Sequence, residues 1–110
     1  MIIAIDYDGT ITESKPFPIK ANIREEACIY IPKLYQLGHQ LILWTARKEP
    51  YYTECIKALQ DCNLLQYFTF NYDVGYTGKV IADIYLDDRS SMIDFDWKLW
   101  YDYITLNKED

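Results

Sequence analysis

Apolar residues fall along the chain in short unbroken runs, separated by stretches of helical periodicity. IIAI at 2–5 and LILW at 41–44 are continuous apolar runs, the pattern of strands covered on both faces in a parallel sheet. YFTF at 67–70 and IYL at 84–86 read as a third and a fourth strand. Between the first two, Asn22 and Glu25 have the spacing of a capping box, and Gly38 suits a left-handed helix terminator. A helix from Asn22 to Gly38 carries Pro32 inside it, and Ala27, Ile31 and Leu34 keep one apolar stripe across that proline, which predicts a kinked helix rather than two. Pro50 suits the first turn of a second helix, with Tyr52, Ile56 and Leu59 on one face as far as Asn63. A last helix starts at Asp94 or Asp96 and turns Trp97, Trp100 or Tyr101, and Ile104 inward. GTITESKPFPIK reads as a loop, because Pro16 and Pro18 disfavour a helix.

Strands alternating with helices predict right-handed βαβ units: an α/β fold with a three-layer, Rossmann-like parallel sheet and helices on both faces. The 110 residues make one domain, 1–110, long enough for a sizeable core. Ligands of such sheets bind beyond the carboxyl ends of the strands, where strand order reverses. Asp6, Thr45 and Asp87 each stand where an apolar run stops, so the fold can bring them to one edge while their strands stay buried. An unpaired buried charge is costly, which explains why carboxylates sit at the end of MIIAIDYDGT rather than within it.

That edge collects Asp6 and Asp8 after the first strand, Thr45 and Arg47 after the second, Lys79 before the fourth, and Asp87 with Asp88 after it. Carboxylates 4 Å apart repel by about 4 kcal/mol at an effective dielectric near 20. A divalent cation removes that penalty. An all-oxygen donor set of few side chains suits Mg²⁺, which keeps several waters and completes its shell with a substrate phosphate.

DYDGT at 6–10, a strand ending in Thr45, Lys79, and the acidic pair of YLDDR at 85–89 resemble, in order, the four motifs of the haloacid dehalogenase (HAD) superfamily, over residues 2–89. The resemblance implies an HAD-like hydrolase fold and a Mg²⁺-dependent phosphatase acting through an aspartyl-phosphate intermediate. It makes Asp6 the nucleophile and Asp8 the acid and base, and makes Asp6, the backbone carbonyl of Asp8 and Asp87 the metal site, with Asp88 ligating directly or through water. Thr45 and Lys79 hold phosphoryl oxygens; Arg47 and Arg89 are candidate substrate contacts. Superfamily members that process haloacids lack the second aspartate, so Asp8 favours phosphatase chemistry. Too few residues separate Thr10 from Asn22 for a cap domain, and one helix and one strand fill the span from Thr45 to Lys79. The site is therefore capless, and open or roofed by a neighbouring subunit. A rival reading is a catalytically weak regulatory or interaction module that binds phosphate or metal on the same fold.

Composition refines this picture. A net charge of −6 and a pI near 4.6 argue against sequence-independent nucleic-acid binding. A small phosphorylated substrate stays compatible, because Lys15, Lys20, Arg47, Lys48, Lys79 and Arg89 fall in loops at or near the same edge. The 11 Tyr and 3 Trp mean either aromatic packing or a face for self-association, and leave a homo-oligomer open. Cys28, Cys55 and Cys62 form no CxxC pair and read as buried free thiols of a reducing compartment. No signal peptide or membrane span is apparent, which points to the cytoplasm. Asp83 reads as structural, at the opposite edge, and His39 as a surface residue.

Overall fold

A computed structural model of the chain describes residues 1–15, 21–45, 47–69, 82–87 and 95–106. Strand β1 (Ile2–Asp6) leads through a wide turn, Tyr7–Ile11, towards helix α1 (Glu25–Gln36). Strand β2 (Gln40–Trp44), helix α2 (Tyr51–Asp61), a short 3₁₀ turn (Leu65–Tyr67), strand β3 (Ile84–Leu86) and helix α3 (Trp97–Leu106) follow. The strands form a parallel sheet in the order β2-β1-β3. The α/β class and the parallel sheet agree with the sequence pattern.

One face of the sheet presents Ile3, Ile5, Leu41 and Leu86 to a single continuous core. Ala27, Ile31 and Leu34 of α1, Cys55 and Leu59 of α2, and Trp97 and Ile104 of α3 all join it. On the other face Ala4 and Ile42 are buried outside that core, and Trp44 meets Tyr85 edge-on at 5.3 Å. The described helices thus share one core with one face. A helix on the second face, which a three-layer sandwich requires, is not among the described residues.

Two boundaries differ from the sequence reading. Helix α1 starts at Glu25, with Arg24 as its N-cap and no side-chain cap bond, so Asn22 and Glu25 form no capping box. Asn22 and Ile23 are drawn instead into an antiparallel pairing with the chain after β1: Thr12 bridges Ile23, and the Glu13 N–H donates to the Asn22 carbonyl at 2.9 Å. The proposed third strand reduces, among the described residues, to one parallel bridge between Phe68 and Leu41, with the Thr69 N–H donating to the Leu41 carbonyl at 2.7 Å. Tyr67 closes the 3₁₀ turn, where its ring meets Tyr35 of α1 at 5.3 Å. Phe70 lies outside the described residues.

Other local signals hold. Helix α1 runs through Pro32. Gly38 has φ 93°, and the two bonds that close a helix in a Schellman motif are present, His39 N–H to Leu34 carbonyl at 3.3 Å and Gly38 N–H to Tyr35 carbonyl at 3.0 Å. Asp96 caps α3, its Oδ1 accepting the Leu99 N–H at 3.1 Å. His39 is a correction: it is buried, with Nδ1 3.1 Å from the Met1 ammonium, because the tight terminator carries the chain directly into β2 beside the start of β1. Cys28 is exposed, Cys62 half-buried and Cys55 buried, so the expectation of buried thiols holds fully only for Cys55. Aromatic residues pack α1 on α3: Tyr30 and Tyr101 lie 5.1 Å apart, and the Lys33 ammonium is 5.4 Å from the first ring and 5.7 Å from the second. No described helix is long and apolar enough to cross a membrane.

Candidate active site

β1 is central, with β2 on one side and β3 on the other, so the chain crosses over in opposite directions from it. This reversal opens a crevice beyond the strand ends. Asp6 is in register with Trp44, so Thr45 follows at the same edge; Ile5 is in register with Leu86, so Asp87 is the next position beside Asp6. Asp6, Thr45 and Asp87 are half-buried. The sequence reading brought these three together, and the register does the same.

Beyond Asp6 the chain makes its wide turn. Asp8 is extended (φ −71°, ψ 119°) and Gly9 left-handed (φ 83°, ψ −10°), a conformation that favours glycine. The Gly9 N–H donates to Thr12 Oγ1 at 3.1 Å, and that hydroxyl donates to the Glu13 carbonyl at 3.0 Å. Arg24 reaches back from the start of α1, donating from Nη2 to the Gly9 carbonyl at 2.9 Å and from Nε to the Thr12 carbonyl at 2.8 Å. Its backbone N–H donates to the Ile11 carbonyl at 2.8 Å. Trp97, fully buried at the start of α3, donates from Nε1 to the Thr10 carbonyl at 2.8 Å.

Asp8 itself is exposed and held by Arg47. Nε of Arg47 lies 2.9 Å from Oδ2 and 3.2 Å from Oδ1 of Asp8, and Nη2 lies 2.7 Å from Oδ1. The guanidinium also sits 5.0 Å from the Tyr7 ring centroid and donates to the Tyr51 carbonyl at 3.3 Å. Its hydrogen bond to Asp8 raises the Arg47 pKa. The Arg47 N–H donates to Thr45 Oγ1 at 3.1 Å, joining the second strand end to the same group. Arg47 therefore contacts the proposed acid and base directly, a partner that its reading in sequence as a candidate substrate contact does not include. Beneath this pair, burial pushes the Tyr7 hydroxyl up to about 12 and the Cys55 thiol up to about 12.

Lys79, Asp88 and Arg89 lie outside the described residues. Asp83 is structural, as its position suggested: its Oδ2 accepts the Ile2 N–H at 2.7 Å, and its own N–H donates to the Ile2 carbonyl at 2.8 Å. Among the described residues no three acidic, histidine or cysteine side chains converge on a metal position. The described edge does hold two carboxylates, Asp6 and Asp87, and Mg²⁺ commonly takes one or two from the protein and fills the rest of its shell with water and phosphate. The donor chemistry fits that ion.

Two residues of the loop's surroundings carry no signal in the motifs. Arg24 stands ahead of two glutamates and belongs to none of the motifs. Trp97 is legible as core, and its indole N–H, which requires an acceptor when buried, was the one clue to a polar role.

No protein-family model matches the chain, and no curated protein matches it. Among solved structures it is similar to a conserved protein coded by a locus of Bacteroides thetaiotaomicron, at 28% identity and a TM-score of 0.72, over 100% of this chain and 93% of that one.

Proposed function

We propose that the chain is a capless, Mg²⁺-dependent phosphomonoester hydrolase of the haloacid dehalogenase type, acting on a small phosphorylated substrate. The observation that carries this reading is the convergence of Asp6, Thr45 and Asp87 on one edge of the sheet at its reversal point, with Asp8 two residues beyond Asp6 on the same turn.

In this reading the Asp6 carboxylate attacks phosphorus as the bond to the leaving oxygen breaks, giving an acyl phosphate. Asp8 delivers a proton to the leaving oxygen. It then takes a proton from the water whose oxygen attacks phosphorus, releasing inorganic phosphate and restoring the Asp6 carboxylate. The Thr45 hydroxyl donates to a non-bridging oxygen, with Lys79 assigned the same task from its motif. Asp6, Asp87 and Asp88 are the side chains assigned to hold Mg²⁺, which, when bound, offsets the charge gathering on the phosphoryl group. Arg47 fixes the Asp8 carboxylate and yields one of its oxygens when Asp8 carries a proton.

The test is release of inorganic phosphate from an aryl phosphate with and without Mg²⁺, in the native chain and in Asp6→Asn and Asp8→Asn. Metal-dependent turnover lost in both variants is the expected result. The rival, a phosphate- or metal-binding module with little turnover, draws on the three contacts by which Arg47 occupies Asp8. Mg²⁺ binding with no turnover across a panel of phosphorylated metabolites would establish it instead.

A further inference from the structure

Four consecutive carbonyls of the candidate catalytic loop, those of residues 9–12, are each engaged by a donor from Arg24 or Trp97. Arg24 supplies three of these donors, two from one guanidinium to carbonyls three residues apart, and adds a longer contact to Ser14 Oγ at 3.4 Å. A planar fork with fixed donor directions can hold two backbone oxygens at a set separation, which a flexible ammonium cannot. The loop needs such a device. Its turn contains the extended Asp8 and the left-handed Gly9, so it lacks continuous helical dihedrals, and a wide-turn bond from the Thr12 N–H to the Tyr7 carbonyl at 3.1 Å closes it from within.

The position of Arg24 supports the same conclusion independently. It is the N-cap of α1, with φ −67°, ψ 138° and no side-chain cap bond. Helix starts favour Ser, Thr, Asp or Asn at that place and disfavour a cation beside the positive end of the helix dipole. An arginine there weakens α1 locally. Its side chain serves the loop instead.

We infer that Arg24, with Trp97, is the positioning residue that holds the loop between Asp6 and Thr12 in the geometry the chemistry needs. Asp8 lies inside the clamped turn, immediately before Gly9, so the carbonyls that Arg24 and Trp97 grip fix the path on which both Asp8 groups depend, the carboxylate and the backbone oxygen. The catalytic consequence rests on the phosphatase reading; the clamp itself does not. A clamp of this kind acts on kcat rather than on substrate affinity, because it orders groups that react and touches no substrate.

The experiment compares the native chain with Arg24→Gln, Arg24→Lys and Trp97→Phe by amide hydrogen exchange and by aryl phosphate kinetics in Mg²⁺. The expected result for Arg24→Gln is exchange at residues 9–12 faster by about tenfold or more with β1 and β2 unchanged, kcat lower by roughly 10- to 100-fold, and KM within about twofold. Arg24→Lys recovers part of the loss. Trp97→Phe keeps the aromatic ring and removes one donor, and serves if Arg24→Gln fails to fold; its faster exchange is again confined to residues 9–12. Native exchange at residues 9–12 in these variants, or acceleration spread evenly through β1 and α1, overturns the clamp. A loosened loop with native kcat overturns its catalytic consequence. If the native chain hydrolyses no phosphoester, the phosphatase reading falls while the exchange data still decide the clamp.

Discussion

Thr10 Oγ1 is completely buried and has no hydrogen-bond partner among the described residues, and such an atom costs about 1 to 3 kcal/mol relative to a satisfied one. Thr10→Val, which exchanges the hydroxyl for a methyl of similar size, is therefore expected to leave stability unchanged or raise it by about 1 kcal/mol, read from the urea midpoint. Tyr7 and Cys55 give the residue-scale pH dependence. Both are raised in the folded chain to about 12, from 10.0 and 9.0, so the unfolded chain loses these protons first. Their contribution is fully present below pH 9, fades first through Cys55 and then through Tyr7, and is lost by about pH 12. Denaturation midpoints are expected to fall on titration above pH 9, and Cys55→Val moves the onset towards the Tyr7 range. In thiol labelling near neutral pH, exposed Cys28 reacts first and Cys55 only on unfolding. Arg47→Ala removes an ion pair whose carboxylate is 49% exposed. It is expected to cost at most about 1 kcal/mol of stability and, in the phosphatase reading, to lower kcat about tenfold, since Asp8 loses its orienting partner. Asp6, Thr45 and Asp87 were legible in sequence because each ends an apolar run. Arg24 was not, because its partners are backbone oxygens, which any sequence supplies.

At the scale of elements, signals contained in one turn of chain were readable and pairings between distant segments were not. Gly38 marks the end of α1 because the left-handed terminator is a property of that residue and its neighbours. The start of α1 was misplaced because Asn22 and Ile23 pair with Glu13 and Thr12, and no window around Asn22 contains that information. YFTF resembles a strand in composition, yet the turn that seats Tyr67 on Tyr35 takes its first residue. Asp83 offers a test of the sheet alone. Its carboxylate joins β3 to the first N–H of β1 at 2.7 Å, so Asp83→Ala is expected to cost about 1 to 2 kcal/mol in urea unfolding and, in the phosphatase reading, to leave kcat/KM within about twofold, since it lies at the edge opposite Asp6.

At the scale of the molecule, the alternation of runs and stripes sufficed for the α/β class and the parallel sheet, because hydrophobic period and crossover handedness restrict the possible architectures to few. The order β2-β1-β3 puts the reversal of strand order at β1, a position the sequence pattern alone does not specify. If the strand-end carboxylates hold Mg²⁺, the ion stabilises the whole domain by mass action, by about 2.7 kcal/mol at a hundredfold excess over its Kd. A rise in Tm with Mg²⁺, reversed by chelation and absent in Asp6→Asn, is the expected result.

The bond from Trp97 to Thr10 also bears on time. Its partners stand 87 positions apart, and at 5–20 residues per second a ribosome takes roughly 4 to 17 s to travel from one to the other. The turn that bears Asp8 is thus made several seconds before the indole that fastens it. Chains that stop short of residue 97 carry the candidate nucleophile with the Thr10 carbonyl unfastened, so in the phosphatase reading the loop is completed only once the start of α3 has been made.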